Sequence, residues 1–139
     1  MDRTYTDQYT APVAAFMAAV KQDTNIPLDR DTPSALIDLR LRLMNEELDE
    51  VFEAITMRDP AQLAHELADL LYVVFGTAVA FGVPIDEVYA AIASANMSKI
   101  NEITGEPYEV VDGKVKKGPN YQNPHAAIEE IMKTKMVHL

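Results

Sequence analysis

Cysteine is absent from the 139-residue chain, so neither disulfides nor thiolate metal sites can hold it together. That composition suits a reducing cytoplasm. Basic residues are scarce: 12 stand against 22 acidic ones, a formal charge of −10. A chain of that charge repels nucleic acid and anionic lipid, so neither is expected as a partner. The N-terminal "MDRTYTDQYT" lacks the apolar stretch of a signal peptide. The most apolar run, "LLYVVFGTAVAFGVPI" (70–85), is shorter than the roughly 20 residues of a membrane span and reads as a buried helix. Repeats and low-complexity tracts are missing as well. What remains is an apolar content near half with mixed charge, enough for one globular domain over residues 1–139.

Apolar periodicity organises that domain. Val13, Phe16, Met17 and Val20 predict a first helix over roughly 7–22. A Pro- and Asp-rich loop follows. A long helix is expected from about Pro33, capped by Thr32, to about Met57. In "RDP" (58–60), Asp59 caps and Pro60 opens a third helix that runs to about Phe81. A fourth is expected from Ile85 or Asp86 to Glu102, and a short last one from His125 to about Lys135. Between them, "VVDGKV" is a small hairpin turning at Asp-Gly, or else an ordered loop. The class is all-α, a four-helix-bundle type with a C-terminal loop or hairpin and a last short helix. The third helix is apolar nearly all round from Leu70 to Phe81. It is either the central helix of a monomer or, the reading favoured here, a helix covered by a second copy.

Against this apolar background, residues 45–71 hold eight acidic residues and one basic residue, Arg58. Glu46, Glu47 and Glu50 fall on one arc of the second helix, one turn deep. Glu66 and Asp69 neighbour each other on the third. The short "RDP" link makes the two helices antiparallel neighbours, so their carboxylates can face one another. Two like charges about 6 Å apart repel by roughly 2–3 kcal/mol at an effective dielectric of about 20. Protons or hard cations must offset this, unless the run is simply a solvated face. A di-iron site of the Glu-x-x-His type fits poorly, because Asp69 stands where the histidine would be. His65 projects about 100° from Glu66 and reads as a surface residue.

"EELDE" (46–50) followed by "ELAD" (66–69) resembles the E-E-x-x-E and E-x-x-D motifs of the MazG-like all-α nucleoside triphosphate pyrophosphohydrolases. Dimeric dUTPases and phosphoribosyl-ATP pyrophosphohydrolases are relatives of that family. "NMSKI" (96–100) and "DGKVKKGPNY" (112–121) resemble the C-terminal half of short MazG-like proteins, and the likeness spans about residues 36–124. The resemblance implies a bundle completed by oligomerisation, a homodimer or homotetramer. It implies a core over 33–102 and a substrate-covering segment over 103–124. It also implies cleavage of a (d)NTP between the α- and β-phosphates, with two or three Mg2+ ions that Mn2+ can replace. By position, Glu47, Glu50, Glu66 and Asp69 would be metal ligands. Glu46 would orient or deprotonate the attacking water, a role Glu47 could exchange with it.

The metals alone do not offset five carboxylates and a triphosphate, so Lys99, Lys114 and Lys117 are the candidates to complete the charge. Asn96 is a candidate for the sugar or base, and Asn120 and Tyr121 for covering the nucleotide. Nucleotide-pool sanitation or remodelling is the implied task. The alternatives are phosphoribosyl-ATP hydrolysis and a non-catalytic nucleotide-binding partner.

Overall fold

The computed structural model describes residues 3–135. Among these it holds five helices and one two-stranded hairpin, which is the all-α class expected. Backbone packing divides the chain into two compact units, one ending at Val83 and one beginning at Pro84.

The first unit contains α1 (Thr10–Ala19), α2 (Ser34–Met57) and α3 (Pro60–Ala80). The first helix is shorter at both ends than the 7–22 expected. Asp7 stays outside it and accepts hydrogen bonds from the N–H groups of Tyr9 and Thr10, each 2.9 Å, and from the Thr10 hydroxyl. Burial pushes the Asp7 carboxyl up, but these donors outweigh it and hold the group below the usual carboxylate range. At the other end Lys21 takes a left-handed conformation (φ 59°). Thr32 does not cap α2 as expected. Its hydroxyl donates to the Pro27 carbonyl at 2.7 Å and accepts the Asp29 N–H at 2.8 Å, so it closes the preceding loop instead. Pro33 occupies the cap position with no side-chain bond.

The α2–α3 link forms as the sequence predicts. Arg58 ends α2 in the left-handed region, φ 58° and ψ 38°. The Asp59 carboxylate accepts the N–H groups of Ala61 and Gln62 at 3.0 Å, and Pro60 opens α3. With no room for a longer loop, α2 and α3 pack as antiparallel neighbours. At the far end of this pair, Val13 and Met17 of α1 meet Val79, Ala80 and Phe81, with Leu36, Ile37 and Phe75 against them. A fully buried valine, methionine or phenylalanine contributes about 1.5–3 kcal/mol. Gly82 (φ 68°) then ends α3: its N–H reaches the Val79 carbonyl at 3.3 Å and that of Val83 reaches Ala78 at 2.8 Å.

The helix that carries the apolar run is 21 residues long, enough by length and apolarity to cross a membrane. However, Glu66 and Asp69 lie within it, which lipid tolerates poorly. Within the chain α3 is not covered on every side: Leu67, Leu71 and Tyr72 stay exposed, as do Leu41, Leu48, Phe52 and Ile55 on α2.

The second unit holds α4 (Ile85–Met97), β1 (Val110–Val111), β2 (Lys114–Val115) and α5 (His125–Lys135). The fourth helix stops at Met97, short of the expected Glu102. The Ser98 hydroxyl folds back onto the Ala95 carbonyl at 2.6 Å, and Ile100 leaves the helix to bridge Pro107. The hairpin forms, with Val110 opposite Val115 and Val111 opposite Lys114. Asp112 (φ 51°) and Gly113 (φ 78°) give its two-residue turn the handedness that matches strand twist. Helix α5 packs on α4, where Lys135 approaches Glu87 at 3.7 Å.

If Asp59 sets the α2–α3 link, Asp59→Ala should lower stability by about 1 kcal/mol in urea unfolding, and Asp59→Asn by much less. Equal stability of wild type and Asp59→Ala would show that the link does not depend on its cap.

Candidate active site

Because α2 and α3 run antiparallel, residues whose numbers sum to a near-constant value meet across the groove. Glu50 therefore stands opposite Glu66, and Arg40 opposite Val73 and Thr77. Glu47, Glu50 and Glu66 present carboxylate oxygens that all lie within 4.8 Å of one another. Glu66 is the innermost: it is 5 % exposed, although it is a carboxylate. Gln62, one turn earlier on α3, donates its amide to Glu66 Oε1. The other oxygen, Oε2, is buried with no hydrogen-bond partner, and so is Oε2 of Glu47. Buried oxygens of this kind cost free energy unless something fills their lone pairs.

Electrostatics record the crowding. A hydrogen bond to Glu66, and then the charges of Glu66 and Glu47, push the Glu50 carboxyl above the usual range. Protonation of Glu50 is therefore easier here than in a free carboxyl and would relieve part of the repulsion. A divalent cation would do so more completely. The oxygens present fit such an ion: they are hard, they converge, and two of them, Glu47 Oε2 and Glu66 Oε2, are buried without a hydrogen-bond partner. A cavity of about 310 Å3 opens beside them, lined by Glu50, Glu53, Asp59, Gln62 and Glu66 among others.

Not every expected ligand joins this triad. Asp69 belongs to a second one, with Glu66 and His65, so that Glu66 is shared by both. His65 Nε2 lies 2.9 Å from Asp69 Oδ2, with the histidine 65 % exposed. His65 is thus at the surface as expected, but it engages Asp69, a pair that its i,i+4 spacing allows and the sequence reading did not include. Glu46 is exposed and in neither triad.

The remaining candidates lie in the second unit. Lys117 Nζ sits 4.9 Å from the Tyr121 ring centroid and Lys99 Nζ 6.0 Å from it, so two ammonium groups approach one aromatic ring. Asn120 Nδ2 donates to the Tyr108 hydroxyl at 3.2 Å. Asn120 and Tyr121 also line a cavity of about 390 Å3 with Ser98, Glu102 and Gln122. Lys114 is on β2, outside this cluster. Asn96 is exposed in the last turn of α4, and its carbonyl accepts the Lys99 N–H at 3.1 Å.

Sequence reasoning missed Gln62, whose i,i+4 spacing to Glu66 was a readable signal. It missed Tyr108 too, which packs so tightly on Gly118 that a Cβ there would lie 2.3 Å from its ring. It also missed Arg40, a cation only 4 % exposed.

The model of the phosphoribosyl-ATP pyrophosphohydrolase family matches residues 13–96, which take in most of α1, all of α2 and α3 and most of α4. Comparison with curated proteins gives no match.

The crowding has a consequence for stability. Millimolar Mg2+ or Mn2+ should raise the melting temperature of the wild type by binding the folded state, and Glu50→Gln should weaken that rise. Without metal, Glu50→Gln should be the more stable protein near neutral pH. Because the folded-state pKa of Glu50 is above its unfolded value, the wild type loses stability as pH rises from about 4.5 through the raised value. The gap between the two proteins should therefore close on acidification. A gap that widens as pH falls would contradict the repulsion.

Proposed function

Because the chain belongs to the phosphoribosyl-ATP pyrophosphohydrolase family, in the MazG-like superfamily, we propose that it cleaves nucleoside triphosphates between the α- and β-phosphates. Membership makes it a hydrolase of phosphoric anhydride bonds acting on nucleotides. The finer reading is a Mg2+-dependent (d)NTP pyrophosphohydrolase releasing (d)NMP and pyrophosphate in the cytoplasm, for sanitation or remodelling of the pool. The observation that carries it is the buried carboxylate of Glu66, with one oxygen unpartnered and the group within 4.8 Å of the carboxylates of Glu47 and Glu50.

In this reading Glu47, Glu50, Glu66 and Asp69 hold two or three divalent ions. Bound there, the ions supply a more acidic water and neutralise charge on the phosphates. Gln62 fixes Glu66, so that its free oxygen keeps its direction without reorganisation. Glu46, or Glu47 in its place, orients the attacking water and takes its proton. Lys99, Lys114 and Lys117 bind phosphate oxygens, and Asn96, Asn120 and Tyr121 contact the nucleoside. The exposed stripe Leu41, Leu48, Phe52 and Ile55 on α2, with Leu67 and Leu71 on α3, supports assembly as a homodimer or homotetramer.

Phosphoribosyl-ATP is the second substrate reading, favoured by the family that matches. The likeness of "DGKVKKGPNY" to short MazG-like proteins favours the triphosphate.

Incubation with Mg2+ and each common dNTP, NTP and phosphoribosyl-ATP, with products resolved by chromatography, separates these. Monophosphate plus pyrophosphate is the expected outcome, and Glu66→Gln should reduce the rate at least about a hundredfold. Diphosphate plus phosphate would mean the wrong bond. Turnover of phosphoribosyl-ATP alone would establish the second reading.

A further inference from the structure

Seven residues before Glu47 on α2 is Arg40, and seven after Glu66 and Asp69 on α3 are Val73 and Gly76. A spacing of seven is two turns, about 10 Å along a helix and nearly the same face. Arg40, Val73 and Gly76 therefore continue the groove that holds the carboxylates, one nucleoside's length farther on.

Arg40 is 4 % exposed, yet among the described residues it has no carboxylate partner. Its Nε donates to Thr77 Oγ1 at 3.2 Å and its Nη2 to the Val73 carbonyl at 2.9 Å. Both partners are neutral and both belong to α3. Of the five N–H donors on a guanidinium, these are two, and the Nη1 pair and one Nη2 hydrogen make no bond among the described residues. Gly76 makes the room, since a Cβ there would lie 2.5 Å from Nη2. Next to Arg40 is a cavity of about 230 Å3 whose other walls include Phe16, Met17, Leu43, Tyr72 and Gly76. Phe16 and Tyr72 pack edge to face there, ring centroids 6.1 Å apart. Mostly apolar and aromatic walls, with the Arg40 donor fork and Gln22 as the polar groups, describe a pocket for a flat, polar-edged ring.

We propose that this cavity receives the nucleobase of the substrate and that Arg40 reads it, selecting cytosine or guanine. The inference rests on the nucleotide reading above and adds the base. With the side formed by Nε and Nη2 occupied by α3, the end formed by Nη1 and Nη2 remains. That end offers two parallel donors, which match two adjacent acceptors on a base edge. Guanine presents O6 beside N7, and cytosine presents O2 beside N3. Uracil and thymine interpose the N3 hydrogen between their carbonyl oxygens, and adenine sets an amino group beside N7. With the ring seated in the cavity, those bases would leave a guanidinium donor unpaired or opposed, the situation in which a polar site discriminates most strongly.

The test measures kcat/KM for dCTP, dUTP, dTTP, dGTP, dATP and 7-deaza-dGTP with the wild-type enzyme and Mg2+. In parallel, calorimetric titration follows the four deoxynucleoside monophosphates. The expected result is a preference of about tenfold or more for dCTP over dUTP, or for dGTP over both dATP and 7-deaza-dGTP. The monophosphates should bind in the same order. Arg40→Gln should erase most of that preference, and Arg40→Lys should not restore it, because a single ammonium cannot reproduce the fork.

Discrimination of less than about twofold, or a preference for adenine or uracil, overturns the proposal. So does an Arg40→Gln enzyme that remains folded and loses the same factor on every nucleotide, which is the mark of a structural arginine. Should Arg40→Gln fail to fold, the wild-type ratios and titrations decide alone. If no triphosphate is hydrolysed but the monophosphates bind in the expected order, the hydrolysis reading falls and the base assignment stands.

Discussion

Repulsion among Glu47, Glu50 and Glu66 is the constraint to which the first unit answers. Like charges held this close oppose folding, and a small domain's net stability is only a few kcal/mol, about 5–15. Such a cluster persists only because the backbone around it is overdetermined. Arg58 in the left-handed region, the Asp59 cap and Pro60 leave the chain one way to turn. At the opposite end of the helix pair, Val13, Met17, Val79, Ala80 and Phe81 supply burial without any acidic residue among them. Stability is thus concentrated at one end of the groove and electrostatic tension at the other. A protein that opens locally would open at the acidic end first.

The cation in the same groove softens this picture without cancelling it. At about 10 Å and an effective dielectric of about 20, Arg40 attracts one carboxylate by roughly 1–2 kcal/mol. That is less than one close pair repels. Arg40 is also unable to touch the acidic oxygens, because α3 holds its guanidinium at Val73 and Thr77. The groove therefore keeps a separated negative end and positive end. Desolvation lowers the Arg40 pKa, yet a guanidinium in this position still keeps its charge.

How far the sequence disclosed this follows from how local each feature is. The "RDP" link, the Asp-Gly turn and the helical placing of the carboxylates depend on residues a few positions apart, and all were legible. The end of α4 was not. Ser98 and Ile100 leave the helix for partners that include Pro107, and the apolar pattern through Ile100 gave no warning. Thr32 looked like a cap because it precedes Pro33, but the Pro27 carbonyl competed for its hydroxyl and won. Arg40 was the hardest to read. In "LRLRL" it alternates with Arg42 as a surface arginine would, and only a missing side chain on another helix, at Gly76, admits it to the interior. His65 with Asp69 is intermediate, since i,i+4 spacing allows the pair but does not require it.

Two buried charged side chains on facing helices are an inefficient way to hold helices together. Replacing buried ionic groups by well-packed apolar ones of similar size is often neutral or stabilising. Leucine at positions 40 and 66 would continue the apolar faces of α2 and α3 and remove both desolvation costs. What leucine could not do is present unfilled lone pairs at one end of a groove and unfilled donors two turns away. Glu66 keeps an oxygen with no partner, and Arg40 keeps N–H groups with none among the described residues. Partial satisfaction on both sides is what distinguishes a receptor from a core. The intramolecular bonds from Gln62, and to Val73 and Thr77, suffice to aim each group. They leave the remaining valence to something that is cationic at one end and carries hydrogen-bond acceptors at the other. A metal-bound nucleotide, the occupant proposed above, has that polarity along its length, and with it one physical requirement, completing the groove, would account for both buried charges.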